Sequence, residues 1–174
     1  MKLGEKIVIV GSCGSGKTTL SNLLSEISGI EVIHLDRIYW QADWISISED
    51  AFRNEQIKCL RKERWIVDGN YASSFELRLA KADTVIFLDY NRYICIWRVL
   101  KRWMKFRGRL RPDVADGCYE KMEWDFLKYI WRFPKDTRPL MLDTLDKYEN
   151  LNKFVLKNTQ ETNRMIETLK NRLR

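Results

Sequence analysis

The chain has 174 residues, a formal net charge of +7 and a composition that is 45% hydrophobic and 32% charged. That length suits one domain, 1–174, in which roughly 70% of the unfolded surface can be buried, so a core forms without disulfide or metal staples. The composition excludes a disordered chain, no apolar run has the length of a membrane span, and the apolar run 7–10 is too short for a secretory signal, so a cytoplasmic protein with no membrane partner is expected.

Residues 6–10 (KIVIV) predict a short buried strand, and 18–28 (TTLSNLLSEIS) predict a helix with Leu20, Leu23, Leu24 and Ile27 on one face. Between them Gly11-Ser12-Cys13-Gly14-Ser15-Gly16-Lys17-Thr18 fits GxxxxGK[ST] without a mismatch, in the strand-loop-helix context that the phosphate-binding loop requires. Glycines at these places let successive N–H groups converge at a helix N-terminus, where the helix dipole also favours an anion. Lys17 supplies a point charge for the β and γ phosphates of ATP, the Thr18 hydroxyl is a hard ligand for Mg2+, and Thr19 continues the binding turn. Cys13 is expected to contribute its backbone N–H; it and Cys59, Cys95 and Cys118 are far apart with no C-x-x-C, which points to reduced thiols.

A second strand over 31–35 contains His34 and ends in Asp36. An aromatic loop follows with Tyr39, Trp40 and Trp44, then a helix over 48–62 opened by Ser46-Ile47-Ser48-Glu49, a capping-box pattern. A third strand, 65–67, ends in Asp68-Gly69-Asn70-Tyr71; a short helix runs through Arg78; a fourth strand, 84–88, ends in Asp89. Ligands of open parallel α/β sheets bind outside the carboxyl ends of the strands, so the P-loop and these acids face one crevice, with Asp89 expected to serve only as a turn or cap residue. A helix over 91–106 places Ile94, Trp97 and Leu100 or Lys101 at helical spacing. Gly108 and Pro112 interrupt it, and a helix over 119–133 runs until Pro134 stops it. A helix over 135–147, a fifth strand over 153–156 and a helix over 160–173, capped by Asn158 with Glu161, complete the chain. Trp40, Trp44, Trp124 and Trp131 are read chiefly as packing residues, with Trp40 and Trp44 placed near an acceptor.

Residues 92–112 hold Arg92, Arg98, Lys101, Arg102, Lys105, Arg107, Arg109 and Arg111 and no acid, so an anion is expected to meet them. The short stretch 107–118 reads as a mobile arginine-rich lid.

The P-loop, His34-Leu35-Asp36, Trp65-Ile66-Val67-Asp68-Gly69-Asn70-Tyr71 and Ala82-Asp83 leading to Leu88-Asp89 carry a resemblance to the adenylate kinase-like branch of small-molecule kinases. As a whole the chain resembles the bacterial DNA topology modulation proteins. The resemblance implies a three-layer α/β P-loop NTPase fold with a five-stranded parallel sheet in the order 2-3-1-4-5 and right-handed crossovers. It implies that Asp68 holds a water of the Mg2+ shell, that Arg98 and Arg102 border the lid and touch ATP, and that Arg111 returns from the lid, with Arg132 substituting for a second returning arginine. Asn70-Tyr71-Ala72 replaces the Phe-Pro-Arg of adenylate kinases, so the arginine that grips an AMP phosphate is missing, with Arg78 or Arg37 as replacements. Asp36 sits where shikimate and gluconate kinases place a substrate-facing acid, and His34 replaces the first of two alternating acids.

The function expected is transfer of the γ-phosphoryl group of ATP to a small-molecule or nucleotide acceptor. Lys17, Asp36, Arg102 and Arg111 are its catalytic residues, and His34, Trp40, Asp68, Asn70, Tyr71, Arg78 and Arg132 its substrate-side residues. The alternative is an ATP-dependent nucleic-acid-associated protein without small-molecule kinase activity, since Trp97, Trp103 and Phe106 interleave with cations, although no helix-turn-helix, RRM or zinc-finger pattern is present. A GTPase is disfavoured, because Asn152-Lys153-Phe154-Val155 carries Val where the guanine-specifying Asp belongs.

Overall fold

The computed structural model describes residues 3–109 and 114–171. Its centre is β1 (Lys6–Gly11), a β-branched run whose last five residues are buried. Such a run is stable only when both faces are covered, as in parallel sheets. β1 pairs in parallel with β5 (Trp65–Asp68) on one side and β6 (Thr84–Leu88) on the other. β2 (Val32–His34) adds to β5, and β7 (Asn152–Leu156) to β6.

Successive residues of β1 face opposite sides of the sheet. Ile7 and Ile9 pack with Leu20, Leu24, Cys95, Val99, Ile130 and Met165 on one face. These come from α1 (Lys17–Ser28), α5 (Arg92–Phe106), α6 (Trp124–Asp136) and α8 (Thr159–Lys170). Val8 and Val10 pack with Leu35, Phe52, Phe75, Leu79, Phe133, Met141 and Leu145 on the other. There the cover is α2 (Leu35–Tyr39), α3 (Glu49–Cys59), α4 (Phe75–Leu79), the end of α6 and α7 (Arg138–Asp146). The result is three layers with the sheet in the middle.

Several local expectations are corrected. Counting all strands, the sheet order is β2-β5-β1-β6-β7. It differs in numbering from the expected 2-3-1-4-5 because the aromatic loop contains a separate antiparallel ribbon, β3 (Trp40–Gln41) and β4 (Ile45–Ser46). The same loop begins with α2, so Asp36 lies in a short helix. The cap of α3 is Ser48, whose side chain accepts from the Ala51 N–H at 3.3 Å, two residues beyond the expected Ser46. Pro134 lies inside α6 rather than stopping it; the helix runs on to Asp136, and α7 restarts with Pro139 in its first turn, where a missing N–H does no harm. Asp89 caps nothing: Asn91 caps α5, while Asp89 accepts two bonds of 2.7 Å from Arg138. The inward face of α5 is Cys95 and Val99, leaving Ile94 40% and Trp97 61% exposed. Trp124 and Trp131 are likewise outside the core. The Asn158 cap of α8 forms as expected, with Glu161 N–H donating to Asn158 Oδ1 at 2.9 Å and the Glu161 carboxylate returning to the Lys157 N–H.

Among the described residues no helix is long and apolar enough to cross a membrane.

Candidate active site

The P-loop leaves the end of β1 and turns into α1. Gly16 is the N-terminal cap of α1 in the left-handed region (φ 101°), which a side chain would strain. Gly14, also left-handed (φ 83°), lies against α5, where an added Cβ would stand 2.3 Å from the Cys95 carbonyl oxygen. Lys17 folds across the loop and donates from Nζ to the carbonyls of Gly11 (2.9 Å) and Ser12 (3.1 Å). Arg98 reaches over from α5, donating to the Ser15 carbonyl (3.0 Å) and to Thr159 Oγ1 (2.8 Å), with its guanidinium 5.0 Å from the Tyr90 ring. It clips the loop to the start of α8. Asn70 fastens the other end: its Oδ1 accepts from the Gly11 N–H at 3.1 Å, and its Nδ2 stands 3.4 Å from Tyr129 Oη on α6. Burial pushes the Tyr129 phenol up, with Cys13 adding to the effect.

This cradle fits a polyphosphate. Ser15 Oγ is buried with no hydrogen-bond partner, an unsatisfied polar group of the kind a bound ligand completes. The loop has the glycine backbone, the helix start and the two cations that an anion requires. Mg2+ also finds suitable donors. Asp68 ends β5 in a buried position, and Ser21 Oγ, one turn after Thr18, donates to the Thr18 carbonyl (3.0 Å) and lies 3.5 Å from Asp68 Oδ2. His34 Nδ1 stands 3.2 Å from that same oxygen. Hydroxyl and carboxylate oxygens are hard donors suited to this ion. Among the described residues no group of three or more His, Cys, Asp or Glu could hold a metal unaided, so phosphate oxygens and water would have to complete the shell. Thr19 points to solvent.

On the β2 side, Tyr71 Oη donates to Asp36 Oδ1 at 2.7 Å. Burial, reinforced by the Asp36 charge, pushes the Tyr71 phenol far up, so it stays a neutral donor to the carboxylate. Tyr71 is itself held in a left-handed conformation (φ 32°), a strain that its surroundings enforce. Its ring packs at 4.8 Å on Tyr39 and 4.7 Å on Phe52, and Tyr39 in turn carries Trp40 at 4.8 Å, which carries Trp44 at 5.6 Å. The ribbon bearing these tryptophans is bonded to the segment before α6. Trp44 Nε1 donates to the Tyr119 carbonyl (2.8 Å), Cys118 Sγ to the Gln41 carbonyl (3.0 Å), and Asp43 N–H to the Gly117 carbonyl (3.2 Å).

The arginines part company. Arg98 lies on the P-loop side of α5, while Arg102, one turn further on, donates from Nε to the buried Glu120 at 3.0 Å. Arg107 covers the Trp103 ring at 5.2 Å. Arg111 lies outside the described residues. Arg78 is 0% exposed and sits beneath the β5 loop, donating to the carbonyls of Gly69 (2.6 Å), Asn70, Tyr71 (2.9 Å) and Ser74 (3.3 Å). Burial lowers its pKa to about 9, which leaves it charged at neutral pH. It shapes the loop instead of replacing the missing phosphate-gripping arginine. Arg132 is exposed and bound to Asp136 (2.6 Å) one turn along α6. Ser21, Tyr129 and Glu120 were not foreseen. Ser21 had a signal, a buried position one turn after Thr18; Tyr129 and Glu120 are brought in by tertiary packing.

A P-loop at the central strand of a parallel sheet, with an acid ending the neighbouring strand, is the arrangement of a P-loop nucleotide-binding fold. No protein-family model and no curated protein matches the sequence. Solved structures do. A deoxyadenosine kinase from M. mycoides with dCMP and dCDP bound is 15% identical with a TM-score of 0.53, covering 96% of this chain and 97% of that one. A shikimate kinase from Acinetobacter baumannii in complex with shikimate is 15% identical, TM-score 0.60, covering 95% and 90%. A gluconokinase from Sinorhizobium meliloti 1021 is 15% identical, TM-score 0.56, covering 99% and 93%. The likeness is one of fold.

Proposed function

We propose that the chain is an ATP-dependent phosphotransferase acting on a small-molecule or nucleotide acceptor. The observation that carries this is that the phosphate cradle after β1 and an oriented carboxylate, the Asp36–Tyr71 pair after β2 and β5, stand at the carboxyl ends of three successive strands of the sheet, β1, β5 and β2. The solved kinases of the same fold act on, or hold, small hydroxyl-bearing molecules, which agrees with this reading.

ATP with Mg2+ supplies the transferable phosphoryl group and the charge that must be neutralised. The chain's task is positioning and charge compensation. The loop N–H groups and Lys17 hold phosphate oxygens, Thr18 and Asp68 serve the ion, and Arg98, Arg102 and Arg111 flank the reacting group, where guanidinium forks bind phosphate better than ammonium groups. Ser21, His34 and Asn70 position Asp68 and the loop. Asp36 orients the acceptor hydroxyl and takes its proton, while the Tyr71 hydrogen bond fixes the carboxylate. Trp40 and Trp44 form the outer wall for the acceptor, and residues 107–118 close over the phosphates to keep water out. The resemblance to DNA topology modulation proteins also implies an ATP-dependent nucleic-acid association; the exposed Trp97 beside Lys101 favours it, and DNA binding that depends on ATP is its readout, whereas binding that collapses with modest salt and ignores ATP would mark nonspecific charge only.

Asp36→Asn tests the acceptor side. Its ATP affinity is expected within about twofold of wild type, while acceptor-stimulated ADP formation falls about 100-fold or more. Retained turnover would remove Asp36 from the chemistry.

A further inference from the structure

Arg92, Lys128, Trp131, Arg132 and Lys135 line an open cavity of about 400 Å3 between the start of α5 and the exposed face of α6. Lys128, Arg132 and Lys135 fall at i, i+4 and i+7 of α6, one stripe that rises roughly 10 Å along the helix. Arg92 completes it from the first turn of α5, a turn with no acid to complement the positive helix end. Its guanidinium is fixed in place, 4.3 Å over the Trp131 ring and donating to the Trp131 carbonyl at 3.1 Å. Tyr93 buttresses Trp131 edge-on at 5.6 Å. Arg132 is held by both oxygens of Asp136. Among the described residues Arg92, Lys128 and Lys135 have no ion pair. Four cations therefore share one carboxylate, a crowding of like charge that an anion would relieve.

We propose that this groove is a second anion site, separate from the P-loop, for a soluble ligand bearing two or more linked phosphates. A single phosphate meets only part of the stripe, whereas a diphosphate or triphosphate lies along it, with the Arg92 fork as the fixed end and the two free lysines closing on it. The cavity is of the size that holds a small ligand. Trp131, 44% exposed, offers a surface for a base if the ligand is a nucleotide. The proposal stands without the kinase reading, because none of its residues belongs to the crevice machinery apart from Arg132, which was expected there and lines this groove.

Titration calorimetry with tripolyphosphate on the whole chain tests it in a Lys17→Ala background, where the P-loop is disabled. One tripolyphosphate per chain is expected to bind Lys17→Ala, and adding Lys128→Ala with Lys135→Ala is expected to weaken it tenfold or more, while circular dichroism stays unchanged. Both lysines are exposed, so their removal leaves the core intact. ADP in place of tripolyphosphate separates the sources: tighter binding of ADP than of pyrophosphate marks a nucleotide site, equal or weaker binding an inorganic polyphosphate site. No binding to Lys17→Ala, or binding indifferent to the two lysines, would overturn the proposal. So would a single-stranded oligonucleotide that displaces tripolyphosphate at far lower concentration, which would make the groove a nucleic-acid contact.

Discussion

Arg78 and Arg98 show how the same residue type takes opposite roles according to what surrounds it. Arg98 lies across the P-loop from outside, whereas Arg78 is buried under the β5 loop and donates to four backbone carbonyls. Removing Arg78 takes a charged donor from all four carbonyls, and although the Tyr71 carbonyl keeps the Ser74 N–H (3.2 Å), the buried Gly69 carbonyl loses its 2.6 Å partner, so Arg78→Ala is expected to lose at least about 3 kcal/mol of stability in denaturant titration. A variant of full stability with a raised acceptor KM would instead restore Arg78 to the substrate. Tyr71 gives a pH signature. Its phenol ionises near 10 in the unfolded chain and well above that in the fold, so stability is intact below about pH 10 and falls as pH rises further, by up to about 1.4 kcal/mol per pH unit. Tyr71→Phe is expected to show a shallower alkaline limb; equal slopes would show that the Tyr71 phenol is not shielded. The positions of Lys17 on the P-loop and of Asp68 at the end of β5 were legible in the sequence because a motif and a strand end fix their neighbours. The role of Arg78 was not, since a short helix presents an arginine inward or outward only according to what packs over it.

At the scale of elements, the P-loop depends on the close approach of α5. Gly14→Ala places a Cβ against the Cys95 carbonyl oxygen in a left-handed backbone, so the loop must move, and ATP affinity is expected to fall at least tenfold by calorimetry. Affinity equal to wild type would mean that the loop is not the nucleotide site. Ser48→Ala, at the cap of α3, is expected to cost only about 1 kcal/mol of stability, without effect on ATP affinity. The buried strands were legible as apolar runs bounded by turn residues, and the Asn158–Glu161 cap by its spacing. The two-residue strands β3 and β4 are too short for any period to register. The spacing of Ile94 and Trp97 shows a helix but not its inward face, which consists of the small Cys95 and Val99 that let the P-loop come close.

Across the whole molecule the P-loop and the strand-end acids stand at the carboxyl ends of the strands, the aromatic ribbon follows β2 and α2, and the basic groove lies between the start of α5 and the exposed face of α6. Strand arrangement was legible only through a resemblance, because local patterns say which segments are strands and not which are neighbours; three-layer packing then follows from β1 being apolar on both faces. The excess charge was legible as a sum over the sequence, but its sharing between P-loop side and outer groove depends on how α5 and α6 cross. The most direct measurement is ADP formation from Mg-ATP by the purified wild type and by Lys17→Ala, with and without a panel of nucleosides, nucleoside monophosphates, sugars and other small hydroxyl compounds. The account predicts that at least one acceptor raises the wild-type rate and that Lys17→Ala lowers the stimulated rate about 100-fold or more. Equal rates in the two proteins, or a wild type that binds no ATP, would contradict it.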